Sequence, residues 1–236
     1  IDNKIFRKIF DGDNSVKKYY SFNKPRELLK LKKIKKLINF KNKSILESGC
    51  GAATNLDFLK EEAKDTAGFD SIIYKKHVEK KHLFYSSLQE LKKSEKKFDI
   101  ILSLGEIEHK FNVSEFISIF KSKLKKNGLL VFRIPNFNNI YMFLLGYNFL
   151  KYDYRVSHNY YFTETSADFL FKKNKLKIFL KKGLQEYSIN HLLKYIQTGK
   201  RVNKYKNILN QKVAKLTLQN LENYKVSTSL LYILKK

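Results

Sequence analysis

Two glycines in the stretch Ile45 to Asn55, "ILESGCGAATN", end an apolar run and open a helical one. Glycine lacks Cβ and adopts positive φ, so a strand running into Gly49 and Gly51 can bring its backbone close to a ligand. The helix that follows turns its N-terminal amides toward an anionic group. The dinucleotide pattern Gly-x-Gly-x-x-Gly would need its third glycine at Thr54, which is a mismatch. A shorter Gly-x-Gly-x-Gly register puts Ala53 there, one methyl larger. Asp70 closes "DTAGFD", where an acid can accept both hydroxyls of a ribose. Its plainer use is to cap a helix. His109 in "LGEIEH" and His158 in "SHNYYF" are candidates for a general base, against the plainer reading of structural histidines.

The elements that must position these residues alternate. Pro25 to Ile38 has helical spacing, with Pro25 as an early residue. Ser44 to Glu47 is a short buried strand, and a helix is expected from about Ala53 to Glu62. Strands are expected at Asp65 to Asp70, His82 to Ser86 and Phe98 to Leu104. Val113, Phe116, Ile117, Phe120 and Leu124 mark a helix ending in Lys125-Lys126-Asn127-Gly128, with Gly128 as its cap. A fifth strand, Leu129 to Ile134, stops at Pro135. Asn136 to Phe162 is aromatic and lacks a period. Then come a helix over Thr163 to Asn174, capped by Thr163, and strands at Leu176 to Lys182 and Ser227 to Leu234. Between those two strands lie two helical patterns, one on Ile189, Leu192, Leu193 and Ile196, the other on Ile208, Leu209, Val213 and Leu216. This rhythm predicts an α/β fold with a parallel sheet and right-handed crossovers.

Composition bounds the rest. With 236 residues, 43% hydrophobic and 14% aromatic, the chain can build one sizeable core. We expect one domain: an N-terminal helical segment over 1–43, a ligand-binding half over 44–135 and a second half over 136–236 with a helical insertion at about 184–225. A lone cysteine excludes an internal disulfide, suits a reducing cytoplasm and argues against a metal cluster. No signal peptide is expected, because charges break the stretch Phe6 to Asp13. The longest apolar run, Ile140 to Leu150, is about half the ~20 residues that span a membrane. The chain begins at Ile1 and its one methionine is Met142, so translation is expected to start upstream. The net charge is +26, yet only five residues are arginine: Arg7, Arg26, Arg133, Arg155 and Arg201. Lysine spread everywhere, with abundant Asn, Ile, Tyr and Phe, reads largely as AT-rich coding composition. From Phe169 onward 16 basic residues face only Glu186 and Glu222, a skew that would attract RNA, anionic lipid or a phosphorylated molecule.

Taken in order, "ILESGCGAAT", "GFD", "LFYSSLQEL", "FDIILSLGEIEH" and "LKKNGLLVFRIPN" resemble the class I S-adenosylmethionine-dependent methyltransferases. Among these the chain is most similar to the small-molecule group that includes the ubiquinone-biosynthesis O-methyltransferases. The resemblance covers about Lys43 to Lys182, plus Ser227 to Leu234. It implies a Rossmann-like, doubly wound seven-stranded sheet, mostly parallel with an antiparallel last strand. It implies S-adenosylmethionine as cofactor, with Glu47, Gly49, Cys50 and Gly51 around its methionine part and Asp70 on its ribose. Ser87 and Leu88 would stand at the adenine, where Ser87 replaces the usual acid. Ser103 and Leu104 would line the pocket. Gly105 departs from the family's acid, while Glu108 and His109 keep the pattern. Tyr160, Tyr161 and Asn136 are candidate contacts to a methyl acceptor, or ordinary core and surface residues.

Three readings stay open at this point. The first is methylation of a small molecule, such as a sugar or another cell-surface precursor, at oxygen. The block Gln185 to Tyr205, similar to one in bacterial sugar- and cell-surface-locus methyltransferases, would then be a lid or a dimer contact. The second is an RNA methyltransferase using the basic C-terminal part, against which the scarcity of arginine counts. The third is a non-catalytic binding protein with a decayed cofactor turn, given Ala53, Ser87 and Gly105.

Overall fold

The computed structural model describes residues 13–149, 155–199 and 206–236. The stretch Phe6 to Gly12, Arg7 and Arg201, and the last residues of the 185–205 block lie outside the described residues. Seven strands form one sheet in the order β3-β2-β1-β4-β5-β7-β6. They are β1 (Ser44–Ser48), β2 (Asp65–Phe69), β3 (Leu83–Tyr85), β4 (Phe98–Leu104), β5 (Leu124–Pro135), β6 (Lys177–Leu184) and β7 (Ser229–Lys235). The first five are parallel, and β7 runs antiparallel to both of its neighbours, β5 and β6.

Strands covered on both faces read as continuous apolar runs rather than alternations, and "FDIILSL" on β4 does so. Ile100 and Leu102 face one side, with Ile45, Val131 and Ile233. That side is covered by α1 (Asp13–Lys35) and α2 (Thr54–Leu59) through Leu31, Ile34, Leu56 and Leu59, and by the short α3 (Lys75–Val78) through Val78. Ile101 faces the other side with Leu46, Phe132 and Tyr232. There α4 (Leu88–Lys93), α5 (Val113–Ser122) and α7 (Glu164–Lys173) supply Leu91, Phe116, Phe120 and Phe171. A separate apolar cluster joins α6 (Ile140–Leu145), α8 (Ile189–Thr198) and α9 (Gln211–Asn223) around Tyr141, Leu192 and Leu221.

Several boundaries differ from the sequence expectations. The first helix begins at Asp13, so Pro25 lies in its interior rather than at its start. The turns before Pro25 pack through Val16 and Tyr19, and those after it are tied by ion pairs of Arg26, Lys33 and Lys35, which outweigh the amide that proline lacks. The segment Lys125 to Gly128 is not a helix end. Phe98 N–H donates to the Lys123 carbonyl at 2.8 Å, and Lys125 pairs with Asp99 at 2.8 Å, drawing the chain into β5. The sheet register shifts between Phe98 and Ile100, which absorbs the extra residues with Asn127 at φ 64°. α2 is shorter than expected, and Ile208 and Leu209 precede α9 instead of lying on it. The aperiodic aromatic stretch holds α6, whose start Asn139 caps by accepting from the amides of Tyr141 and Met142. No helix among the described residues is long and apolar enough to cross a membrane.

The sheet tightens where β6 meets α9. A Cβ on Gly183 would lie 2.5 Å from the Glu222 carbonyl oxygen and 2.7 Å from its Cα. Replacing Gly183→Ala must therefore move backbone, and we expect a loss of about 1–3 kcal/mol in denaturant unfolding.

Candidate active site

Strand order reverses between β1 and β4, and ligands of open parallel sheets bind at the carboxyl ends beside such a point. A cavity of about 260 Å³ opens there, lined by Glu47, Gly49 and Cys50 from β1 and its turn and by Leu104, Gly105, Glu108 and His109 beyond β4. β1 delivers the turn because Gly49 N–H donates to the Phe69 carbonyl at 2.8 Å. The turn needs three left-handed residues: Gly49 at φ 72°, Gly51 at 50° and Ala53 at 61°. The shorter glycine register is thus the right one, and Ala53 carries the backbone strain of a missing third glycine. Asp70 braces the turn, its Oδ2 accepting from Gly51 N–H at 2.7 Å and its Oδ1 from Ser71 N–H at 2.6 Å. Burial pushes the Asp70 carboxyl up, and those two amides oppose it.

Glu47 is buried beneath the turn. Its Oε1 accepts from Asn55 Nδ2 at 2.6 Å, while Oε2 is buried without a hydrogen-bond partner. Burial pushes its carboxyl up to about 8, against the Asn55 bond. Gly105, at φ 96°, turns the chain so that Glu106 lies over Gly49. Its Oε2 is 2.7 Å from where a Gly49 Cβ would be. Glu106 also pairs with Lys110, yet burial still pushes its carboxyl up.

The two candidate histidines come together, with ring centroids 4.7 Å apart and edge to face. Their segments are stitched through main chain. Asn159 N–H donates to the Glu108 carbonyl at 2.9 Å, and Asn159 Nδ2 donates to the His109 carbonyl at 2.9 Å. His109 Nδ1 lies 2.8 Å from the Ser157 carbonyl. A carbonyl can only accept, so Nδ1 carries the proton and Nε2 of the neutral ring holds the lone pair. His158 is pushed down to about 4 by burial, with His109, Arg155 and Arg133 adding to the effect, and its Nδ1 is buried without a partner. Glu108, His109 and His158 offer ligand atoms within 4.8 Å of one another, a set that could hold a cation, although Arg133 Nη1 is 3.7 Å from Glu108 Oε1. Burial pushes the Glu108 carboxyl up, and Arg133 opposes that.

The other expected residues, Leu104 apart, stand away from the cavity. Ser87 caps α4, its hydroxyl accepting from Glu90 N–H at 3.1 Å, and Leu88 packs on the core. Ser103 is buried with an unpartnered hydroxyl, and Leu104 lines the cavity. Asn136 ties the β5 end to the carbonyls of Asn138, Lys225 and Ser227. Tyr160 donates to the Phe111 carbonyl at 2.8 Å, and Tyr161 to that of Arg155 at 3.2 Å.

The sequence reading did not single out the contribution of α1. Tyr19, Asn23, Arg26, Glu27 and Lys30 all line the cavity. Lys30 pairs with Glu27 at 2.7 Å, and Glu27 in turn lies 3.4 Å from Asn55 Nδ2. Arg26 reaches Glu186 Oε2 at 2.7 Å, and Arg133 donates from Nε to Glu186 Oε1 at 2.5 Å. Ser229 Oγ donates to the same oxygen at 2.7 Å. Those two guanidiniums hold the Glu186 carboxyl well below the ordinary range despite its burial. The signal in the sequence was rarity: an arginine inside an apolar strand, and one of two acids in the last 68 residues.

A family model described as a methyltransferase domain matches residues 22–179. The chain belongs to the class I S-adenosylmethionine-dependent methyltransferases. Solved structures share the methyltransferase fold. A SAM-dependent methyltransferase from Archaeoglobus fulgidus is 21% identical, with a TM-score of 0.56, and the match covers 92% of this chain and 99% of that one. For an S-adenosylmethionine-dependent methyltransferase from Clostridium acetobutylicum the figures are 13%, 0.54, 100% and 99%. For a putative methyltransferase from Bacillus halodurans they are 14%, 0.56, 86% and 96%. No curated protein matches the chain in sequence. The cofactor of this methyltransferase is S-adenosylmethionine. The residues present fit it: the turn leaves no Cβ at Gly49, and Glu47, whose Oε2 is buried without a hydrogen-bond partner, belongs to the lining of the same cavity. A cationic ligand suits the acids gathered there.

Two outcomes test this geometry. Ala53→Gly relieves the left-handed strain, and thermal or urea unfolding should show a gain of about 0.5–1 kcal/mol. Glu186 has a depressed native pKa, so its stabilisation is present above the unfolded carboxylate value of about 4.3 and is lost as pH falls below it. Glu186→Gln should flatten the acid limb of stability against pH. Glu186→Ala, which strands two guanidiniums, should cost about 3–5 kcal/mol.

Proposed function

We propose that this methyltransferase transfers the methyl group to a hydroxyl oxygen of a small molecule, of the class of sugars or other cell-surface precursors. The observation that carries the reading is one cavity lined by both the glycine turn and His109. In this reading the described chain works as one methyltransferase domain in the cytoplasm, where its lone thiol, Cys50, stays buried and reduced.

S-adenosylmethionine, when bound, supplies a methyl group already activated on a sulfonium centre. The chain's own tasks are to bind, align and take up a proton. Glu47 and the Gly49 and Gly51 turn would hold the methionine part, and Asp70 the ribose, with acceptor capacity left on its carboxylate beside the Gly51 and Ser71 amides. His109 would take the hydroxyl proton at Nε2, because the Ser157 carbonyl fixes the tautomer. His158, pushed down to about 4, stays neutral and is the poorer base at neutral pH. Tyr160 and Tyr161, outside the cavity, would hold the His158 segment in place.

Calorimetric titration of S-adenosylmethionine tests the site. Binding should be micromolar in the wild type and lost in Asp70→Ala, with thermal unfolding measured alongside to separate loss of site from loss of fold. Glu47 is protonated in the free protein up to about pH 8. A cation beside it lowers that pKa, so binding near pH 7 should release a proton. The binding enthalpy should then vary with the ionisation enthalpy of the buffer. With a turned-over acceptor, His109→Gln should lower kcat by about a hundredfold or more and leave cofactor affinity intact. A wild-type protein that is folded and binds no S-adenosylmethionine would sink the reading.

A further inference from the structure

Glu108 and His109 stand just beyond β4, and His158 belongs to a distant segment that main-chain hydrogen bonds bring beside them. Asn159 N–H donates to the Glu108 carbonyl, Asn159 Nδ2 to the His109 carbonyl, and Tyr160 to the Phe111 carbonyl. One ligand atom from each of the three side chains lies within 4.8 Å of the other two. The imidazole rings meet with centroids 4.7 Å apart and an interplanar angle of 80°.

The hydrogen bonds around this set leave lone pairs over. Glu108 is 1% exposed, and its Oε2 is buried without a hydrogen-bond partner. His158 Nδ1 is buried without a partner as well. Buried polar atoms are rarely left so, and two in one cluster call for a ligand that takes electron pairs from both. His109 uses Nδ1 on the Ser157 carbonyl at 2.8 Å, which is the outer contact that orients a metal-ligating histidine and leaves Nε2 to the ion. Arg133 approaches the other oxygen of Glu108, Oε1, at 3.7 Å and donates from Nε to Glu186. The lone cysteine counts against a thiolate cluster, but this set contains no sulfur.

We propose that Glu108, His109 and His158 form a binding site for a zinc-class divalent cation, and that the bound ion switches methyl transfer off by taking the lone pair of His109. The site stands on the ligand set, whereas the switch rests on the reading of His109 as the base. A coordinated Nε2 cannot also accept a proton, because both need the same lone pair. Two imidazoles and one carboxylate suit zinc, copper or nickel, whereas magnesium takes oxygen ligands. Bonds of about 2.0–2.2 Å need the ligand atoms about 3.4 Å apart, so side-chain rotations close the set around the ion. Three protein ligands leave a tetrahedral ion one position for water.

The test titrates Zn²⁺ into the full chain by calorimetry, with Mg²⁺ as the contrasting ion. One zinc per chain is expected, and excess Mg²⁺ should not displace it. Co²⁺ in place of zinc should shift the ring-proton NMR signals of both His109 and His158. Glu108→Gln and His158→Gln should each weaken zinc binding by about a hundredfold or more, since losing a partner one shell further out already costs about tenfold to a hundredfold. Thermal unfolding without metal checks the fold of each variant. Absence of stoichiometric zinc binding by the wild type overturns the site. So does unchanged affinity in both variants, which would assign the ion to other histidines. With a turned-over acceptor, bound zinc should lower kcat by about a hundredfold, and a chelator should restore it. Bound zinc with kcat unchanged overturns the switch and the base role of His109 together, whereas failure of zinc to bind leaves that role untouched.

Discussion

A carboxylate buried with two guanidiniums organises this molecule. Glu186 follows β6, Arg133 sits on β5, and Arg26 belongs to α1. A charge taken out of water is tolerated only when opposite charge and hydrogen bonds replace the solvent. Here Arg26, Arg133 and the Ser229 hydroxyl all do so. The arrangement fixes α1 against the carboxyl end of the sheet and so brings Tyr19, Glu27 and Lys30 to the cavity. Lysine could supply the charge at position 133 but not the fork that grips Glu186 while keeping Nη1 beside Glu108.

The acids around the cavity divide by environment. Glu186 is kept ionised by its arginines, whereas burial pushes Glu47, Glu106 and Glu108 toward the neutral form. Groups whose environments drive their protonation apart mark the places where charge can change during function. Glu47 and Glu106 flank the Gly49 turn, so a positively charged ligand would relieve the burial of both. Arg133 and Arg155 line the cavity away from the turn, where burial keeps His158 neutral.

Much of the fold could be read in the sequence because parallel strands buried on both faces are apolar without interruption. Phe98 to Leu104 on β4 is such a run, and Thr163 ahead of α7 is a cap that forms as expected, in a capping box with Ser166. The cofactor turn was legible too, and the backbone at Ala53 explains its irregular spelling. What escaped depends on contacts distant in sequence. Pro25 looked like a helix start because local preference says so, and only packing of the earlier turns shows otherwise. Lys125 to Gly128 carries every local mark of a helix end but is claimed by the sheet. Arg26 and Glu186 are 160 residues apart, and nothing local links them.

The sheet order also bears on how the chain can acquire its shape during synthesis. β6 leaves the ribosome before β7, yet β7 stands between it and the rest of the sheet. β6 can therefore dock only after α8, α9 and β7 have been made. Glu186 travels with β6, so until that moment Arg133 stays on β5 without its counter-charge. Contacts of such long range carry a high cost in loop closure and form late. The cavity is thus completed only once β7, the last of these seven strands in chain order, is made, and a nascent chain that has built β1 to β5 holds the glycine turn without the Glu186 carboxylate that ties α1 to the sheet.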